Sequence, residues 1–306
     1  MQYNTIPNTD LKVSPICLGT WVFGSDHWSG AKRDDCIQAT QTALSLGINF
    51  IDTAPIYGNG LAEQLIGEAI KTRRDQIILA TKCGLTPQGK KVICDLKPLT
   101  ILKEIDASLQ RLKTNYIDLY QCHWPDPNTP IENTMETLLK IKEAGKIRYI
   151  GVSNFETDLL DAAMKITPIV SNQVQYSLLH REIEKNILPH GLQHNVGILA
   201  YGPLGGGILS GKYKEAKNFP ASDARSFFYH FYQGDKCKEI LAGLENLKQL
   251  KKSPHEIAIN WVRQQPGVTS VLVGARNSQQ VKSNFRALSW TLSAYELDFV
   301  QKQIKP

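Results

Sequence analysis

Four residues in the first half of the chain have types that combine into one piece of chemistry: Asp52, Tyr57, Lys82 and His123. Reducing a carbonyl requires hydride delivery to carbon and proton delivery to oxygen. Tyrosine is a weak acid at neutral pH, with a reference pKa of about 10. A nearby ammonium favours the phenolate and lowers that value. Lys82 supplies such a charge, and Asp52 is suited to hold Lys82 and keep it protonated. His123 can donate a hydrogen bond to a carbonyl oxygen, orienting it and stabilising developing negative charge. Singly, each residue has an ordinary reading: Asp52 as a turn or helix cap, Tyr57 beside Gly58 as a loop aromatic, Lys82 as a surface charge, His123 as a bystander. Their occurrence at or just after successive apolar runs is what joins them.

Those runs are residues 16–18, 50–52, 77–79, 116–121, 149–152, 170–175, 197–201 and 271–273. Between them lie helix-like stretches at 33–46, 61–71, 100–112, 134–143, 157–166, 182–193, 254–264 and 279–285. In the third stretch Ile101, Leu102, Ile105, Leu109 and Leu112 recur at helical spacing. Gly47 and Gly145 sit just past helix ends, where a left-handed residue is favoured. Eight strand–helix repeats without a composition break predict one closed parallel (β/α)8 TIM barrel over residues 1–306. An open doubly wound sheet is the competing architecture, but no GxGxxG follows the first strand. Residues 3–13 read as a β-hairpin closing the barrel floor, with its turn at 8–10, and residues 293–305 as an added outer helix. In such a barrel the C-terminal strand ends converge on one face, where Asp52, Lys82 and His123 fall.

Composition bounds the function. The 306 residues are 42% apolar and 21% charged, enough for a sizeable core. No stretch approaches the roughly 20 apolar residues of a membrane span. Residues 1–10 are polar and lack a signal core, so a cytosolic location is the default expectation. The six cysteines, Cys17, Cys36, Cys83, Cys94, Cys122 and Cys237, form no CxxC pair, which speaks against a disulfide framework and a zinc site. A net charge of +6 without a long basic run does not point to nucleic acid; a phosphorylated small ligand fits it equally well.

The segments FIDTAPIYGNG, ILATK, IDLYQCHWPDP, YIGVSNF, NQVQYS and AYGPLGGGILSGKY resemble those of aldo-keto reductases, in the expected order. The resemblance runs from LKVSPICLGTWVFG to VLVGARNSQQVKSN, nearly the whole chain. It implies that Asp52, Tyr57, Lys82 and His123 are the catalytic tetrad, with Tyr57 as proton donor. It also implies a nicotinamide as hydride source, with no metal at the reaction. Gly19, Thr20 and Trp21 match positions near the nicotinamide ribose, and Asp52 is counted with the cofactor residues too. Ser153, Asn154 and Gln173 resemble the trio that holds the carboxamide, and Tyr201 the aromatic under the ring. Ser153-Asn154 also reads as a helix cap, and Asn154 can serve both purposes.

By the same resemblance the glycine-rich stretch 202–212, with Gly202, Pro203, Leu204, Gly207 and Lys212, straps the cofactor, and 219–220 and 223–225 continue the strap. Gly274, Arg276, Gln280 and Asn284 match the adenosine end. A guanidinium suits a 2′-phosphate, so Arg276 favours NADP(H) over NAD(H), unless it is an ordinary surface charge.

Trp21, Tyr57, His123 and Trp124 are the expected substrate contacts. Phe23, His27, Trp28 and the aromatics of 227–232 either line the mouth or pack its loops. The expected partner is a small aldehyde or ketone, with no nucleic acid and no membrane. Two other readings stand beside the reductase: a cofactor-binding regulatory protein like the potassium-channel β-subunits, and an unrelated barrel enzyme such as a Schiff-base aldolase using Lys82. The aldolase needs a neutral amine, which Asp52 opposes.

Overall fold

A computed structural model describes residues 1–24, 27–28, 30–89 and 91–306. Eight strands form a closed barrel in which every neighbouring pair is parallel. They are β3 (Ile16–Gly19), β4 (Phe50–Asp52), β5 (Ile78–Cys83), β8 (Ile117–Cys122), β9 (Ile147–Ser153), β10 (Ser171–Gln175), β11 (Gly197–Tyr201) and β12 (Val268–Gly274). Two antiparallel hairpins flank it: β1 (Asn4–Thr5) with β2 (Lys12–Val13), and β6 (Leu85–Gln88) with β7 (Lys91–Cys94).

The helices are α1 (Arg33–Ser45), α2 (Leu61–Ala69), α3 (Pro98–Leu112), α4 (Ile131–Glu143), α5 (Thr157–Met164), α6 (Ile187–His194), α7 (Ala224–Phe227), α8 (Gly234–Asn246), α9 (Pro254–Arg263), α10 (Ser278–Phe285) and α11 (Ala294–Gln303). Pro98 opens α3, where its missing N–H costs nothing. Ser293 and Glu296 form a reciprocal capping box that starts α11, the added outer helix. Gly47 and Gly145 take positive φ just past α1 and α4, as their positions predict.

The chain period of a strand decides what the barrel contains. Its floor is apolar: Phe50, Ile78, Ala80, Leu119 and Leu199 pack with Ile6, Leu11 and Val13 of the first hairpin, which plugs the bottom as expected. Burying such a Phe, Leu or Ile side chain stabilises the fold by about 1.5–3 kcal/mol each. Two residues further along, on the same inward side, come Asp52 after Phe50, Lys82 after Ala80, Gln121 after Leu119 and Tyr201 after Leu199. The apolar floor therefore carries a polar layer directly above it. The intervening residues, such as Ile51, Leu79, Tyr120 and Ile198, face outward into the larger core beneath the helices.

Three details differ from the sequence reading. The stretch 182–193 is a 3-10 turn (Glu182–Glu184) followed by α6, because the ring of Pro189 conflicts with a helical carbonyl at Lys185 and forces a restart. The β6–β7 hairpin and α8 were not expected. For α8 the signal is present, since Cys237, Ile240 and Leu244 recur at helical spacing and are buried.

Candidate active site

The polar layer centres on Lys82, which is fully buried. Its Nζ donates to Asp52 Oδ1 at 2.5 Å, to the Thr53 carbonyl at 3.0 Å and to the Tyr57 hydroxyl at 3.2 Å. All three ammonium protons thus have acceptors, which a buried charge requires. The other carboxylate oxygen of Asp52 accepts from Gln121 Nε2 at 3.1 Å and Gln173 Nε2 at 2.8 Å. The carboxylate, carried on β4, is fixed from three other strands, β5, β8 and β10.

Electrostatics follow from this enclosure. Burial works against the Lys82 charge, but the Asp52 carboxylate and the Tyr57 phenol outweigh it and hold the ammonium above its ordinary range. Burial raises the Tyr57 phenol, and the opposing pull of Lys82 does not cancel it. This corrects the expectation of a net lowering: Tyr57 is the protonated phenol at neutral pH. Burial, with Lys82 adding to it, pushes His123 well below the usual imidazole range, so the ring is neutral. The rings of Tyr57 and His123 meet edge to face with centroids 5.7 Å apart, and Trp21 stacks beside Tyr57 at 6.2 Å.

Above this group a cleft of about 570 Å³ runs across the C-terminal face. At one end it is lined by Trp21, Asp52, Tyr57, His123 and Trp124; Lys82 stands behind Tyr57 and does not reach it. Its middle is lined by Gly19, Thr20, Ser153, Asn154, Gln173 and Tyr201. The far end carries Gly202, Pro203, Leu204, Gly207 and Lys212 on one side and Gly274, Arg276, Gln280 and Asn284 on the other. The named cofactor and substrate contacts all lie on this one cleft; of the expected continuation of the strap, Arg225 lines it, whereas Phe219, Pro220, Asp223 and Ala224 do not.

A model of the aldo/keto reductase family matches residues 15–305. The chain belongs to the aldo/keto reductase family. Aldo-keto reductase YhdN of Bacillus subtilis (strain 168) is 39% identical over 301 residues, spanning 96% of this chain and 91% of the relative. The NADH-specific methylglyoxal reductase of Escherichia coli (strain K12) is 33% identical over 305 residues, with 93% of each covered. The solved structure of the glycerol dehydrogenase AKR11B4 from Gluconobacter oxydans superposes with a TM-score of 0.91 at 37% identity, covering 99% of this chain and 94% of that one. The family is one of oxidoreductases that use nicotinamide cofactors. Among the described residues no helix is long and apolar enough to cross a membrane.

Within this aldo/keto reductase several sequence readings are refined. Asn154 is not a helix cap, for α5 begins at Thr157 behind Glu156. Instead Asn154 adopts φ 61° and ties the cleft together, donating to the His123 carbonyl at 3.1 Å and accepting from the Tyr201 hydroxyl at 3.0 Å. Thr20 donates its hydroxyl proton to the Asp52 carbonyl at 2.9 Å, and Ser153 to the Gln173 carbonyl at 2.7 Å. Phe23 is buried in the outer core and does not line the mouth. The aromatic run 227–232 divides: Phe227, Phe228 and Tyr229 face the cleft, whereas Phe231 and Tyr232 pack the loop. Sequence reasoning missed Gln121, whose inward position two residues beyond Leu119 identifies it. It also missed Leu85 and Val92, which the β6–β7 hairpin hangs over the mouth, and His255 at the far end.

Proposed function

We propose that this aldo/keto reductase reduces small aldehydes or ketones to alcohols with NADPH, Tyr57 giving the proton to the carbonyl oxygen. The observation that carries the reading is the buried Asp52–Lys82–Tyr57 chain ending in a protonated phenol beside neutral His123. The ammonium stabilises the phenolate that remains once the proton has left, and Asp52 keeps that ammonium in place. His123 orients the carbonyl oxygen and donates to it as negative charge grows.

The residues fit a dinucleotide. Gly206 and Gly207 hold positive φ in the 3-10 turn Gly205–Ser210, and a Cβ on Gly207 would come within 3.2 Å of Lys212 Nζ. A bare backbone beside a lysine leaves room for a pyrophosphate, which a side chain would fill. When bound, the cofactor supplies hydride to the carbonyl carbon. Tyr201 would support the nicotinamide ring, and Ser153, Asn154 and the Gln173 carboxamide oxygen would hold its amide. Gly19, Thr20 and Trp21 would lie by its ribose, and Gln280 and Asn284 by the adenine. Arg276 beside the adenine end favours the 2′-phosphate of NADP(H). Trp21, Trp124, Leu85 and Val92 give the carbonyl compound an apolar mouth. A cytosolic setting fits the six unpaired cysteines, five of them buried.

The test is NADPH oxidation across a panel of aldehydes and ketones, repeated with Tyr57→Phe. The wild type is expected to turn over, and the variant to lose about 10²- to 10⁴-fold in kcat while binding NADPH as before. Tight NADPH binding with no turnover on any carbonyl would support the regulatory reading instead. Unchanged turnover in the variant would remove Tyr57 from the proton path.

A further inference from the structure

On the outside of the barrel, α5 and α6 bring together Asp161, His190 and His194. His190 and His194 stand four residues apart, one helical turn, so they share a face of α6. Their rings lie parallel, with centroids 4.3 Å apart at 25°. Asp161 reaches across from α5 and accepts or shares a proton with His190 Nε2 at 2.8 Å. One ligand atom from each of the three lies within 4.8 Å of the other two, the sole such trio of His, Cys, Asp or Glu among the described residues. The α6 C-terminus, with its negative dipole end, sits at His194. It leads into the start of β11, so the trio belongs to the floor side of the barrel and not to the catalytic mouth.

We propose that Asp161, His190 and His194 form a binding site for a divalent transition-metal ion, with Zn²⁺ as the reference cation. Two imidazoles and one carboxylate are a borderline-soft donor set, which suits zinc and its neighbours. Magnesium and calcium want six or more oxygens, and this trio offers none beyond the one carboxylate. Zinc–ligand bonds of about 2.0–2.2 Å in a tetrahedron put donor atoms roughly 3.4 Å apart. Closing from within 4.8 Å would fall to His194 and Asp161, the more exposed members, around a His190 whose side chain is 12% exposed. His190 is the pre-set ligand. Its second ring nitrogen, Nδ1, is buried without a hydrogen-bond partner, so no second hydrogen bond competes for the ring's orientation. Water completes the fourth position. The ion would clamp the fifth and sixth helices of the barrel, a role independent of the carbonyl chemistry. The sequence reading expected no metal, and this trio departs from it. The trio escapes a linear reading because Asp161 and the two histidines come from different repeats.

The test uses full-length protein stripped with a chelator, then titrated with ZnCl₂ by calorimetry and with Co²⁺ by visible absorption. Wild type is expected to take up one ion per chain at this site, with a tetrahedral Co²⁺ band and a Zn²⁺-dependent rise in melting temperature. His194→Ala and Asp161→Asn, both at surface positions that leave the fold intact, should each weaken uptake at least about tenfold and abolish the thermal gain. Equal affinity and stoichiometry in wild type and both variants would locate any bound metal elsewhere, at His123 or a cysteine, and overturn the proposal. So would the absence of uptake by wild type at sub-millimolar Zn²⁺.

Discussion

Tyr57 and His123 are both buried against Lys82, yet burial moves them in opposite senses because their charged forms have opposite sign. The phenol is pushed up and stays protonated; the imidazole is pushed down and stays neutral. Both are therefore in the form that carbonyl reduction needs across the whole neutral range. For reduction at saturating NADPH, kcat/KM is expected to be level from about pH 6 to about pH 10, with no inflection at the ordinary imidazole value of about 6.5. Activity should fall only in alkali, as Tyr57 loses its proton. A bell centred near neutrality would show that one of the two groups titrates inside that range, and the division of roles would have to be redrawn.

At the scale of elements, the hairpin over the mouth rests on a half-buried acid. Gly84, the hinge between β5 and β6, donates its N–H to Glu104 Oε2 of α3 at 2.7 Å. Burial raises the Glu104 carboxyl from 4.5 to about 7, with Glu63 and Asp95 adding repulsion and Gly84 and Arg111 opposing. A carboxyl raised in the folded state binds its proton more tightly there than in the unfolded chain. Its contribution is complete below about pH 4.5 and is lost as pH rises through about 7. Glu104→Gln keeps the acceptor for Gly84 and removes the titration. The variant should gain up to about 3 kcal/mol on wild type at pH 8 and nearly nothing at pH 4.5, read as urea midpoints at the two pH values. A gain equal at both would assign it to packing. The hairpin itself was opaque in sequence because Leu85-Thr86-Pro87-Gln88 is short, has no buried residue and is interrupted by proline. The barrel strands were legible for the opposite reason: β5 and β8 are buried along their whole length and are apolar at four of their six positions each. Within the site, type and position sufficed for Asp52, Lys82 and His123. What a linear reading could not settle was where Asn154, Thr20 and Gln173 spend their hydrogen bonds, since each partner comes from another strand.

Closure of the barrel makes the two ends of the chain neighbours. Strand β12 pairs with β3, Gly274 opposite Gly19, so Arg276 and Tyr57 border one cleft although 219 positions separate them in number. On the proposed reading the cofactor's reactive ring would be held by residues 153–201 and its adenosine end by residues 274–284, and the second set can change without disturbing the first. The NADH-specific methylglyoxal reductase, 33% identical to this chain, makes that separation concrete: a relative this similar is named for the cofactor without the 2′-phosphate. Here the Arg276 N–H donates to Gln280 Oε1 at 2.8 Å, which fixes the turn that bears the guanidinium. Arg276→Ala removes the charge and leaves that backbone bond. A hydrogen bond to a charged group contributes about 1.5–3 kcal/mol, so KM for NADPH should rise on the order of ten- to a hundred-fold. KM for NADH and kcat with either cofactor should stay within about twofold, because the loss is confined to uniform binding. Steady-state kinetics with both cofactors on one aldehyde decides it. Equal increases for NADPH and NADH would mean that Arg276 holds a part common to both, and that the choice between them is made by other residues of the far end, His255 and Ser283 first among them, which meet at 2.8 Å on the same wall.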